Sequence, residues 1–261
     1  MASFPRNKPL RLLSYNIRHG GIGREAQLAA VIRTADPDIV VFQEAVRPDV
    51  IGRLAKATGM TEWAARDGYS LGFISRLKIA RHQWYQPLWP RRVFLQIEPA
   101  DTPLRIFGVH LRAVHSNFTE RLRVRELKLL LQDIADHSNG FHVLTGDFNT
   151  LAPGEKLDWR RLPRRLRTFM WMTGGIIRWE TVEVMLEAQY VDGYRYLHPD
   201  DEGFTFPTWH PHIRLDYAFL PAPLAGRLKT CEVVTQPSAV REASDHLPLK
   251  FELQVEDPKR R

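Results

Sequence analysis

The sequence is poor in several features that would place it quickly. It holds one cysteine, Cys231, in 261 residues, which excludes a disulfide framework and a cysteine-built zinc site and fits a reducing compartment. No run approaches the roughly 18 apolar residues that read as a membrane span. The longest apolar stretch beside a basic region, Phe169 to Ile177, is interrupted by Gly174 and Gly175. The segment MASFPRNKPLRLLSYN carries basic residues but no apolar signal core, so the expectation is a cytoplasmic chain with no transmembrane span. Gly/Ser or Pro-rich linkers and internal repeats are missing, which favours one domain over residues 1–261, monomeric by default. Also missing are the Gly-rich loop with its Lys-Ser/Thr pair of a nucleotide triphosphatase and a G-x-S-x-G elbow. The glycines of RHGGIGR (18–24) lack the dinucleotide-binding spacing.

What is present fits an ordinary globular protein: 44% apolar and 26% charged residues, which rules out disordered and fibrous classes. A chain of this size buries a substantial core without metal or disulfide staples. Lys and Arg exceed Asp and Glu by 37 to 30, a formal charge of +7. That excess favours polyanionic partners such as nucleic acid or anionic lipid head groups.

Short apolar runs rich in β-branched and aromatic residues recur at 10–17, 38–44, 70–75, 92–98, 104–111, 141–148, 214–220 and 247–255. Their length and flanking turn formers predict strands. Helical spacing is found over 26–34 and, more strongly, over 118–136, where Leu122, Leu127, Leu130 and Ile134 recur. Thr119 is the expected N-cap of that second helix and Asn139-Gly140 its stop. Several consecutive strands lack a helix between them, which points to mixed sheets in an α/β arrangement.

Acids, amides and histidines gather where these runs end. Asn16 follows RLLSY, Gln43 and Glu44 follow DIVVF, His110 follows RIFGV, Asp147 and Asn149 follow HVLTG, and Asp245-His246 precede LPLKFELQV. Singly, each has an ordinary explanation as a loop, turn or core residue. Asp216, inside RLDYAFL, is different: a carboxylate in a buried run needs a partner, and a histidine is the obvious one. Taken together, the Glu, Asp and Asn oxygens suit a hard cation such as Mg²⁺ or Mn²⁺. An Asp can deprotonate or orient water, and histidines can donate to phosphoryl oxygens. The inventory fits metal-assisted phosphoester hydrolysis.

The ordered set SYN (14–16), QE (43–44), HL (110–111), GDFN (146–149), RLDY (214–217) and SDH (244–246) resembles the endonuclease/exonuclease/phosphatase superfamily of DNase I-like phosphoesterases, and the matches span nearly the whole chain. The resemblance implies a four-layer sandwich, two mixed β-sheets packed face to face with helices outside. It implies an essential divalent cation, Mg²⁺ with Mn²⁺ able to substitute, held by Glu44 with Asn16 and Asp245. It makes Asp147 the residue that activates water, with Asn149 assisting. His246, oriented by Asp216, contacts the scissile phosphate, and His110 is a second donor on that side. Two departures stand out: Arg18 occupies a position where some members carry an acid, and Leu71 one where they carry an amide or acid.

Selectivity then rests on the loops. Residues 156–180 carry seven basic against two acidic side chains, Arg164 among them, interleaved with Trp159, Phe169, Trp171 and Trp179. This composition suits a phosphate backbone with stacked bases, a membrane interface, or a solvated surface helix. Arg18, His19 and Trp209 are further candidates for the site mouth, Trp209 within GFTFPTWHPHIRLDY (203–217). The expected activity is a phosphodiesterase with a nucleic-acid substrate. The alternatives are an enzyme acting on phospholipid head groups or small phosphorylated metabolites, and a non-catalytic binding protein on the same scaffold.

Overall fold

The computed structural model describes residues 8–89, 91–113, 116–137, 140–155 and 178–255. Twelve strands form two mixed six-stranded sheets among these residues. The first contains β1 (Leu10–Asn16), β2 (Ile39–Gln43), β3 (Glu62–Ala65), β4 (Leu71–Ser75), β11 (Leu228–Val233) and β12 (Leu249–Leu253). Its order is β11-β12-β1-β2-β4-β3. The second contains β5 (Ile79–Tyr85), β6 (Phe94–Pro99), β7 (Arg105–His110), β8 (His142–Asp147), β9 (Tyr190–Asp192) and β10 (Asp216–Pro221), ordered β5-β6-β7-β8-β10-β9.

Each sheet has one parallel pair at its centre. β1 and β2 run parallel with Asn16 opposite Gln43, and β7 and β8 run parallel with His110 opposite Asp147. Parallel neighbours need a crossover, supplied by α1 (Glu25–Ala35) in the first sheet and α3 (Asn117–His137) in the second. α2 (Pro48–Thr58) follows β2, with a proline in its first turn where no backbone donor is lost. Among the described residues the remaining α-helices are α4 (Glu180–Glu187), α5 (Gly193–Leu197) and α6 (Val240–Ala243).

Side-chain alternation explains the layers. Leu10 and Leu12 of β1 face inward and join Ile39, Val41, Ile106, Val143, Ala218 and Phe251 in a core shared by both sheets. Leu13 and Tyr15 face the other way and pack with Leu28 and Ile32 of α1 and Ile51 and Leu54 of α2. Outside the second sheet, Phe107, Leu144 and Phe219 meet Leu127, Leu130 and Ile134 of α3 and Met185 of α4. The order is helix, sheet, sheet, helix, the four-layer arrangement expected. Strands covered on both faces read as unbroken apolar runs, which is why the sequence located them.

One expectation needs correction. Thr119 is not the N-cap of α3; it lies inside the helix, and the Ser116 hydroxyl accepts from the Thr119 N–H at 3.1 Å. The Thr119 hydroxyl in turn accepts from the Ser116 N–H at 3.0 Å, so Ser116 caps and Thr119 reciprocates. The helix ends at His137, and Asn139 lies outside the described residues. Arg164 and the basic aromatic segment over 156–177 also lie outside them.

One glycine is demanded by the close approach of two strands. Gly146, the first residue of GDFN, has φ +148°, and a Cβ there would collide with the Val109 carbonyl, whose carbon would be 2.7 Å away. Gly146→Ala is therefore expected to lower unfolding free energy by about 3 kcal/mol or more. Urea unfolding followed by circular dichroism measures this.

Candidate active site

The topology delivers the chemistry-bearing residues to one end of the sandwich. Asn16 and Gln43 finish β1 and β2, with Glu44 next in the chain; His110 and Asp147 finish β7 and β8. β10 runs antiparallel to β8 and begins with Asp216 opposite Asp147. β12 runs antiparallel to β1, so the turn before it brings Ser244, Asp245 and His246 to the same end.

At this end the Asn16 side chain links the two sheets. The Asn16 amide donates to Asp147 Oδ2 at 2.9 Å and approaches Glu44 Oε1 at 3.4 Å. Asn16 Oδ1 accepts the Arg18 N–H at 3.0 Å, and Glu44 Oε2 accepts the His19 N–H at 2.5 Å. The Ser244 hydroxyl donates to the Asn16 carbonyl at 2.6 Å, which ties the SDH turn to the end of β1. Glu44, Asn149, Arg18 and His19 all have φ between 49° and 57°. Non-glycine residues take this left-handed conformation at a cost, and such residues gather at functional sites.

Beyond this bridge lies a buried cluster. His246 Nδ1 and Asp216 Oδ2 are hydrogen-bonded at 2.9 Å, and His246 Nε2 stands 3.9 Å from Asp147 Oδ2. The partner expected for Asp216 is thus His246. The fully buried Arg214 fixes the start of β10 through Glu155 at 2.6 Å and Asp192 at 2.6 Å. The Phe206 ring packs 4.9 Å from the His246 ring. Thr208 donates its hydroxyl to the Ser244 carbonyl at 2.9 Å and its N–H to the Asp245 carbonyl at 2.9 Å.

The electrostatics separate the two central groups. Burial raises the Asp147 carboxyl; the His246 charge opposes this, the Asp216 charge adds to it, and the outcome is about 7. Burial would lower His246, but the charges of Asp216 and Asp147 and the hydrogen bond to Asp216 outweigh it and raise the ring to about 10. Asp147 is therefore poised near neutrality beside an imidazolium. The other histidine behaves in the opposite way. Burial, then the positive charges of Arg92 and His246, push His110 well below its usual range, so its ring is neutral.

The other candidates are sorted by their contacts. Asn149 holds Asp147 through its backbone, N–H to Oδ1 at 2.8 Å, while its amide donates to the Leu111 carbonyl at 3.1 Å. His110 Nε2 is 3.9 Å from Asp147 Oδ2, too far for a hydrogen bond. Its Nδ1 is buried without a partner among the described residues. Asp245 pairs with Arg18 at 3.4 Å and approaches the Ser244 hydroxyl at 3.4 Å. His19 is exposed and lies 3.6 Å from Glu44. Trp209 is exposed at the rim, its ring 6.4 Å from that of Phe206.

Sequence reasoning passed over Ser244, Thr208 and Arg92. Ser244 was visible as the first residue of SDH. Arg92, which donates to the carbonyls of His110 and Leu111, gave no signal, because its contacts arise only when β6 lies beside β7.

Cation fit turns on the donor set. Carboxylate oxygens of Glu44 and Asp147 approach one Asn16 side chain, a concentration of oxygen donors that suits a hard divalent ion. Asp147, Asp216 and His246 also form a compact group, with ligand atoms within 4.8 Å of one another. There, however, the imidazole is charged and engaged with Asp216, which leaves it a poor ligand for such an ion.

A model of the Endonuclease/Exonuclease/phosphatase family matches residues 13–246. No curated protein sequence matches the chain. Among solved structures, the 3' phosphatase NExo from Neisseria bound to product DNA hairpin superposes with TM-score 0.70 at 19% identity, covering 94% of this chain and 99% of that one. An AP endonuclease from Archaeoglobus fulgidus superposes with TM-score 0.68 at 18% identity, covering 94% and 100%. Humanized D. rerio TDP2 gives TM-score 0.63 at 18% identity, covering 94% and 98%. At these identities the likeness is one of fold.

The His246–Asp216 pair makes a testable contribution to stability. His246 is raised in the folded protein from 6.5 to about 10, so its contribution is present in full below about 6.5 and fades as pH rises through about 10. Asp216→Asn is expected to cost about 3 kcal/mol near neutral pH. In urea unfolding at stepped pH, the gap from wild type should close toward pH 10.

Proposed function

The chain belongs to the endonuclease/exonuclease/phosphatase family, and on that premise we propose that it is a divalent-metal-dependent phosphodiesterase in which Asp147 activates water. The observation that carries the reading is the continuous set Glu44–Asn16–Asp147, with His246–Asp216 beside it, spanning both sheets.

Each residue has a role that follows from its surroundings. Asp147, near 7 and held by N–H donors of Asn16 and Asn149, accepts the proton of the attacking water. His246, charged and aimed by Asp216, donates from Nε2 to a phosphoryl oxygen as negative charge builds there. Neutral His110 supplies an uncharged polar wall, and Asn149 acts by fixing Asp147. Glu44 and Asn16, with Asp245 beside them, would hold Mg²⁺ or Mn²⁺. The cation supplies neutralisation of phosphate charge and stabilisation of the leaving oxygen.

Nucleic acid is the substrate class favoured by the formal charge of +7 and by the DNA product bound to the Neisseria 3' phosphatase of the same fold. Arg18 and His19 on one side and Trp209 on the other are the proposed substrate contacts. The presence of Glu44, Asp147, Asn149, Asp245 and His246 argues against a non-catalytic scaffold.

Purified protein should hydrolyse bis-p-nitrophenyl phosphate with Mg²⁺ or Mn²⁺ and stop on addition of EDTA. Glu44→Ala, Asp147→Ala and His246→Ala should each lower kcat by about 10² to 10⁴ while unfolding cooperatively. An Asp147 variant with full activity would overturn the assignment.

A further inference from the structure

We infer that the rim of the second sheet, beside the site, is a docking surface for an anionic lipid bilayer. The connection between β5 and β6 carries Leu88 at 94% and Trp89 at 56% exposure, and the first turn of α3 carries Phe118 at 70%. Large apolar side chains this bare are individually unremarkable on a surface; grouped beside one another they mark a contact site.

The geometry groups them. Phe118, Arg121 and Arg125 follow at three- and four-residue steps and so share one side of α3. The Arg125 guanidinium lies 4.2 Å over the Trp89 ring, which places the β5–β6 tip against that same side. Arg91, Arg121 and Arg125 are all exposed. The patch is therefore apolar at its tips and cationic around them, the pattern of an interfacial anchor whose guanidinium groups meet anionic head groups.

The patch also stands at the active-site end. Arg92, just beyond the tip, donates to the carbonyls of His110 and Leu111, and α3 begins seven residues after His110. Docking would hold the site toward the bilayer. A single-stranded nucleic acid explains the patch less well. Stacking needs free aromatic faces, yet Arg125 covers one face of Trp89, and Leu88, the barest residue, has no π face. This inference goes beyond the phosphodiesterase reading and does not depend on it.

The test is co-sedimentation of the full chain with phosphatidylcholine vesicles, with and without about 30 mol% phosphatidylserine. Wild type should bind the anionic vesicles, and more weakly as salt rises. Leu88→Ser/Trp89→Ser/Phe118→Ser should weaken binding at least about tenfold, and Arg121→Gln/Arg125→Gln at least about fivefold. Both variants should keep wild-type melting and wild-type hydrolysis of bis-p-nitrophenyl phosphate. Absence of vesicle binding, or binding unmoved by the triple variant, overturns the inference. So does loss of oligonucleotide binding, rather than vesicle binding, in the triple variant.

Discussion

The Asn16 amide ties the two halves of the site together. The core between the sheets is apolar. The 2.9 Å hydrogen bond from Asn16 to Asp147 crosses that interface at the end where both parallel pairs finish. Because the same amide faces Glu44, the proposed cation-holding oxygens and the proposed water-activating carboxylate sit at a fixed offset. The SDH turn is tied to the same residue by the Ser244 hydroxyl, so His246 inherits that alignment.

Burial then sorts the titratable groups into different tasks. Asp147, Asp216, His110 and His246 are all largely removed from solvent, and an isolated charge there would be costly. Burial opposes a charge on both rings; at His246 the carboxylates of Asp216 and Asp147 outweigh it, whereas at His110 the positive charges of Arg92 and His246 add to it. Asp147 is raised because a second carboxylate and burial act together. Similar side chains end with opposite protonation because of their neighbours, the condition under which acid and base coexist at one pH.

Much of this was legible in the sequence where burial writes a pattern. The central strands read as apolar runs, and the pairing of Asp216 with a histidine followed from a carboxylate inside RLDYAFL. The edge strands β3 and β5 did not, because their half-exposed residues mix polar and apolar types. The cap of α3 was displaced by three residues, since Ser116 and Thr119 are both good caps and only the geometry decides. The left-handed backbone at Glu44 and Asn149 left no trace in composition. Nor did the buried contacts of Asn149, whose N–H braces Asp147 and whose amide reaches the Leu111 carbonyl.

The proposed division of labour has oxygens around Asn16 and Glu44 holding the cation, while Asp147, His246 and Asp216 handle protons. Titration of Mn²⁺ followed by electron paramagnetic resonance separates these groups without any turnover. Glu44→Gln is expected to weaken Mn²⁺ binding at least about tenfold, the loss of one charged ligand, while Asp216→Asn should stay within about twofold of wild type. Mn²⁺ affinity lost in Asp216→Asn and kept in Glu44→Gln would place the cation in the histidine cluster and overturn that division.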